Sequence, residues 1–335
     1  MKNLKILAIE SSCDETSVAI IENGNEIKAN VVATQIDVHK EFGGVIPEVA
    51  SRIHVENISM VLHEALKEAN MKVDDVDAIV VTKGPGLVGS LHVGVQAAKT
   101  LAFAFHKPLI GIHHIAGHIY ANKLVGELKF PLLALVVSGG HTELVYMSED
   151  WNFEILGSTQ DDAIGEAYDK VARVMGLPYP GGPQIDKLAK SGHNVYKLPT
   201  PKTEGELDFS FSGLKSGVLQ FIARCERTNQ TYVPADLAAS FQETALDLLL
   251  SKLEKAIKLK KPAQVVLAGG VAANSRLREK VTSQMSDHHP EINLIIPPLS
   301  CCTDNAAMIG VAGSIAYEKG YRSDFDLTAD PGMEL

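Results

Sequence analysis

A chain of 335 residues is long enough to bury two cores of ordinary domain size. Its composition, 45% hydrophobic and 21% charged, excludes a largely disordered chain, and no uninterrupted apolar run approaches the roughly 20 residues that span a bilayer. A net charge of −10 argues against unaided, high-affinity binding of nucleic acid through a broad basic surface, so a nucleic-acid substrate would need a local basic patch or a partner protein. Lys83, Lys215, Arg276 and Arg278 are the candidates for such a patch. Cys13, Cys225, Cys301 and Cys302 have the spacing of neither a disulfide framework nor a zinc ribbon, and the apolar run at residues 4–9 is too short for a leader. A cytoplasmic, reducing setting with no membrane is expected.

In chain order, residues 6–20 read as buried strand, small-residue turn and second strand, which is a β-hairpin. Residues 78–82 form an apolar strand running into Lys83-Gly84-Pro85-Gly86, followed by a helical pattern over about 90–105. The hairpin pattern returns at 132–146, where Ala134, Ser138 and Thr142 fall on Ala8, Ser12 and Thr16. The strand, Gly-rich turn and helix return at 264–281, through Gly269-Gly270 and Asn274. Residues 178–183, rich in Pro and Gly, are expected to be a loop, 305–317 a small-residue helix, and the tail after Gly320 frayed.

The same order of elements in both halves is the pattern of a duplicated α/β fold. Two lobes, each a mixed sheet flanked by helices with a nucleotide between them, describe the actin-like ATPase architecture. The expected division is residues 1–125 plus about 303–335 in one lobe and 126–302 in the other, with a metal and nucleotide site in the cleft.

His113-His114-Ile115-Ala116-Gly117-His118 carries the clearest chemistry. On a helix, His114 and His118 share one face with Cβ atoms about 6 Å apart. Two such imidazoles can hold one metal ion, and a carboxylate such as Asp304 would complete a three-ligand site open to substrate. A metalloprotease needs a Glu directly after the first histidine, and Ile115 stands there. His113 reads as a supporting or packing residue.

Several stretches together resemble one family closely. They include Ile9-Glu10-Ser11-Ser12-Cys13-Asp14-Glu15-Thr16, Gly84-Pro85-Gly86-Leu87-Val88-Gly89, the histidine segment, Val137-Ser138-Gly139-Gly140-His141-Thr142, Tyr179-Pro180-Gly181-Gly182-Pro183, Gly269-Gly270-Val271-Ala272-Ala273-Asn274 and Cys302-Thr303-Asp304-Asn305. The chain is thereby similar to the tRNA adenosine threonylcarbamoyltransferases, the TsaD family. Ser90 and Gln160 are local departures from its pattern.

The resemblance implies transfer of a threonylcarbamoyl group from threonylcarbamoyl-AMP to N6 of adenosine-37, in tRNAs reading codons that begin with adenine. It implies TsaB and TsaE as partner proteins, with TsaC supplying the donor. It places one divalent metal ion on His114, His118 and Asp304, Fe(II) ahead of Zn(II). It places the donor on Val136, Val137, Ser138, Gly139 and Gly140, its ribose hydroxyls on Asp169 and Asp186, close backbone approach at Gly182, and adenine reading at Asn274. Asp14 and Glu15, in the first hairpin turn, are the two candidates to accept the amine proton. The alternatives are a small-molecule kinase of the actin-like class, which would hold magnesium through carboxylates and water, and a nucleotide-gated scaffold that would tolerate loss of His114.

Overall fold

A computed structural model describes residues 3–335. They form two compact units, one made of the chain up to Glu127 together with Thr303–Leu335, the other of Leu128–Cys302.

The first unit is built on strands β1 (Lys5–Glu10), β2 (Glu15–Glu22), β3 (Glu26–Thr34), β4 (Ala78–Gly84) and β5 (Leu109–His113), in the spatial order β3-β2-β1-β4-β5. β1–β2 and β2–β3 are antiparallel hairpins, whereas β4 and β5 join in parallel. Its helices are α1 (Ile36–Lys40), α2 (Pro47–Glu68), α3 (Val88–Ala104) and α4 (His114–Tyr120).

The second unit repeats the plan with β6 (Leu132–Val137), β7 (Thr142–Met147), β8 (Glu154–Ser158), β9 (Gln264–Ala268) and β10 (Asn293–Ile295), in the order β10-β9-β6-β7-β8. Its helices are α5 (Ile164–Val174), α6 (Gly181–Ala189), α7 (Ser212–Arg227), α8 (Pro234–Lys260) and α9 (Ser275–His288). The last helix, α10 (Ala306–Glu318), belongs to the first unit.

The duplication extends to register. Ala8 pairs with Ala19 and with Val80 in the first sheet; Ala134 pairs with Val145 and with Val266 in the second. The central strands are aliphatic and fully buried through most of their length, as strands covered on both faces must be. α10 is apolar and small-sided on every face, and is buried from Ala306 to Ala316. Its glycines let it sit directly on the sheet: a Cβ at Gly310 would stand 2.5 Å from Ile21 Cγ1, and one at Gly313 2.5 Å from Val80 Cγ1.

Two expectations fail. Residues 178–183 are not all loop, because α6 begins at Gly181. The first turn of a helix has no intrahelical partners for its N–H groups, so Pro183 costs nothing there. The tail is not frayed but pinned to the first unit. Ser323 N donates to Leu109 O at 2.8 Å, Asp330 N to Lys83 O at 2.7 Å, and Gly86 N to Pro331 O at 3.3 Å. Leu327 and Ala329 add to the apolar core beneath.

Candidate functional site

β5 delivers the chain straight into α4, whose first residue is His114. His113 caps this helix by accepting from Ile115 N on Nδ1 (3.1 Å), while its Nε2 donates to Met333 O (3.1 Å). Both of its nitrogens are thus engaged away from the ligand set. His118 follows one turn after His114, and Asp304 arrives from the residue before Asn305, which caps α10 through Met308 N.

His118 Nε2 lies 3.1 Å from His114 Nε2 and 3.0 Å from Asp304 Oδ1, and His114 Nε2 lies 3.5 Å from that same oxygen. A divalent ion about 2.1 Å from each of three atoms, at right-angle to tetrahedral geometry, would hold them about 3.0–3.4 Å apart. The three side chains therefore fit one metal ion. His118 is fully buried, His114 nearly so, and Asp304 retains some exposure, which leaves an open side.

Behind His114 stands a residue that the sequence reading passed over. Glu10, fully buried at the end of β1, brings Oε2 to 3.3 Å from His114 Nδ1, with Ser12 Oγ 3.2 Å from the same nitrogen. Glu10 is itself held by Ser12 N (2.6 Å) and by the hydroxyl of Thr82. Carboxylate behind imidazole fixes the tautomer with Nδ1–H inward and the Nε2 lone pair outward, as a ligand requires. The available signal was a charged residue closing an otherwise aliphatic strand. Burial disfavours charge on both partners. On Glu10 it is outweighed by His114, which holds the carboxyl below its ordinary value. On His114 it is outweighed by Asp304 and Glu10, which lift the imidazole to about 9.

Asp14 closes the turn after β1, and Glu15 opens β2. Asp14 is buried, and Glu15 accepts from Thr34 Oγ1 at 3.2 Å. Burial, followed by the charges of Asp14 and Asp304, pushes the Glu15 carboxyl well above the usual range.

In the second unit, Val136 and Val137 end β6, and Ser138, Gly139 and Gly140 make the turn to β7. Ser138 N donates to His141 O and Ser138 Oγ accepts from His141 N, which closes the turn on itself and leaves Gly139 and Gly140 exposed. Gly269, at φ +91°, is needed at the neighbouring turn: a Cβ there would meet Val137 O at 2.5 Å.

Asp169 on α5 accepts from Gly181 N at 2.7 Å, and Asp186 on α6 accepts from Ser275 Oγ (2.8 Å) and N (3.2 Å). Each carboxylate thus helps to hold the start of a helix. Gly181 permits the close approach of α6 to α5, since its Cβ would stand 2.5 Å from Ala172 Cβ, whereas Gly182 faces open space. Asn274 caps α9 through Leu277 N (2.9 Å) and gives its Nδ2 to Gln242 Oε1 (2.9 Å).

A family model described as TsaD, tRNA N6-adenosine threonylcarbamoyltransferase, matches residues 26–311. The chain belongs to the TsaD family. Relatives bearing the name tRNA N6-adenosine threonylcarbamoyltransferase include one from Bacillus licheniformis, 58% identical over 335 residues, covering all of this chain and 98% of the relative. Another, from Bacillus subtilis, is 57% identical over 337 residues, covering all of this chain and 96% of the relative. Among solved structures, HypF of T. kodakarensis superposes with a TM-score of 0.64 at 14% identity, over 97% of this chain and 50% of that one. Component A of the (R)-2-hydroxyglutaryl-CoA dehydratase of Acidaminococcus fermentans gives 0.57 at 15% identity, over 94% and 98%. These two likenesses establish the actin-like ATPase fold for this TsaD-family chain. Among its described residues, no helix is long and apolar enough to cross a membrane.

Proposed function

We propose that the chain transfers the threonylcarbamoyl group of threonylcarbamoyl-AMP to N6 of adenosine-37 in tRNAs reading codons that begin with adenine, releasing AMP. The observation that carries this reading is membership of the TsaD family over nearly the whole chain. The convergence of His114, His118 and Asp304 on one point supports a metal-dependent acyltransferase. Two imidazoles and one carboxylate suit Fe(II) or Zn(II), and the resemblance to the TsaD family puts Fe(II) ahead. When bound, the ion supplies Lewis acidity to the carbamoyl oxygen or a hold on the threonyl part of the donor.

An aromatic exocyclic amine is a poor nucleophile, but AMP leaves readily from a carbamoyl-phosphate anhydride. Positioning and charge stabilisation then count for more than a strong base. Glu10 and Ser12 keep His114 Nδ1 protonated and the ring oriented. Asp14 and Glu15 are the proposed acceptors of the amine proton, and the burial that raises the Glu15 carboxyl makes it a stronger base once it is ionised. The Val136, Val137, Ser138, Gly139 and Gly140 strip receives the donor through its backbone. Asp169 and Asp186 accept from the ribose hydroxyls, Gly182 admits the ligand to the backbone, and Asn274 faces the adenine while capping α9. An acidic chain needs help to hold tRNA, which agrees with TsaB and TsaE as partners; family membership alone makes TsaC the source of the donor. The four free thiols support a cytoplasmic setting.

The test is transfer of labelled threonine from threonylcarbamoyl-AMP to tRNA with TsaB and TsaE present, comparing wild type with His114→Ala. Labelled tRNA with wild type and its collapse in the variant is the expected result. Transfer that survives the substitution removes the metal from catalysis. No transfer by wild type, with every other component proven active, refutes the transferase.

A further inference from the structure

Three successive carbonyls of the turn between β1 and β2 are each held by a different element. Ser12 O accepts from Leu87 N (2.7 Å), Cys13 O from His54 Nε2 (2.9 Å), and Asp14 O from Gln35 N (3.0 Å). Two of these donors are main-chain groups; His54 alone is a side chain. Its ring is fully buried on α2, and its other nitrogen, Nδ1, meets Thr16 Oγ1 at 2.8 Å.

The imidazole thus spans the turn from Cys13 to Thr16, the segment that contains Asp14 and Glu15. A carbonyl only accepts, so Nε2 carries the hydrogen and Nδ1 accepts from the Thr16 hydroxyl of a neutral ring. Burial, the first influence on this group, favours that neutral form against the pull of the Cys13 carbonyl and the charges of Glu10 and Asp14. On the other side of the same turn, Ser12 Oγ reaches His114 Nδ1. Gln35 is anchored in turn, donating to Ala50 O on α2 (3.3 Å) and meeting buried His39 Nε2 (3.2 Å).

We propose that His54 is a positioning residue for the transfer reaction, holding the acidic turn Cys13–Glu15 in place beside the metal ligands. The proposal rests on the transferase reading above. It separates the two hydrogen bonds of the ring: the one to Cys13 O sets where the turn lies, and the one to Thr16 fixes the ring.

The experiment compares the full chain, reconstituted with its partner proteins, as wild type, His54→Gln and His54→Asn. The glutamine amide reaches the position of Nε2 and can donate to Cys13 O, whereas the shorter asparagine reaches only the position of Nδ1. For His54→Asn, kcat for threonine transfer is expected to fall about a hundredfold, with metal content and the KM for threonylcarbamoyl-AMP unchanged. His54→Gln is expected to restore most of the wild-type kcat.

Cys13 is half-buried where the other three cysteines are buried, and burial raises its thiol, so its slow alkylation by iodoacetamide, mapped by mass spectrometry, reports the turn without any need for activity. It is expected to accelerate in His54→Asn and not in His54→Gln. Wild-type kcat in His54→Asn overturns the proposal. So does a loss shared equally by both variants and matched by lost metal, which would mark a merely structural role. A lower kcat with unchanged Cys13 alkylation overturns it as well, because the turn has not moved. An inactive wild type would sink the transferase reading, while the Cys13 rates would still decide whether His54 holds the turn.

Discussion

Glu10 Oε2 stands 3.3 Å from His114 Nδ1, on the opposite side of the ring from the nitrogen that meets His118 and Asp304. A buried carboxylate so placed acts on the ion through the imidazole. Glu10→Gln keeps the shape but removes the charge, and is expected to lower metal affinity about ten- to a hundredfold. Competition against a calibrated chelator, followed by metal analysis, measures this directly; an unchanged affinity would remove Glu10 from the centre.

Protons compete with the ion for the same imidazole. In the metal-free chain, burial of His114 is outweighed by Asp304 and Glu10, and the ring protonates with a value of about 9. Metal affinity should therefore climb about tenfold per pH unit as pH approaches about 9 from below and level off above it, with uptake of the ion releasing a proton. The linkage sign is opposite for metal-free stability. A raised folded value means that the stability His114 contributes is fully present below about 6.5 and is lost as pH rises through about 9. Calorimetric titration in buffers of different ionisation enthalpy counts the protons, and thermal melts in chelator test the second trend.

Ser90 on α3 lends its main-chain carbonyl to Ser11 Oγ, but its own hydroxyl is buried and without a partner among the described residues. Ser90→Ala keeps the carbonyl and removes the stranded group. An increase in stability of about 1 kcal/mol is expected from the midpoint of urea unfolding.

Two adjacent glycines should separate packing from binding. Gly181→Ala drives a methyl into Ala172 and the backbone of Asp169, and is expected to cost about 1–3 kcal/mol in stability. Gly182→Ala meets nothing within the chain. It should leave the melting temperature alone and raise the KM for threonylcarbamoyl-AMP about tenfold, if the donor lies against that backbone. A normal KM would place the donor elsewhere.

Much of the fold could be read from residues alone, because the duplication repeats an apolar pattern. Ala8 and Ala134 sit at matching places in aligned strands, and the structure pairs both in the same register. The ligand pair was legible because four-residue spacing on a helix puts His114 and His118 together. Asp304 was legible chiefly through family resemblance, since nothing local ties it to α4.

Three features left little trace. The tail is pinned by main-chain hydrogen bonds, such as Asp330 N to Lys83 O, which need no particular side chains. Gly181, Gly182 and Pro183 look like loop residues, yet a helix tolerates all three in its first turn. His54 lies far in sequence from the turn that it holds, and a histidine within an ordinary amphipathic helix announces no partner.

The unit that carries the triad is written in two pieces, with the other unit between them. His118 and Asp304 are 186 residues apart. At about 5–20 residues per second, a ribosome presents both imidazoles roughly 10–40 s before the carboxylate that joins them. Through that interval, a nascent or prematurely terminated chain has two ligands and no third. Assembly of the three side chains thus becomes a late event in biosynthesis, reached only by chains made as far as Asp304.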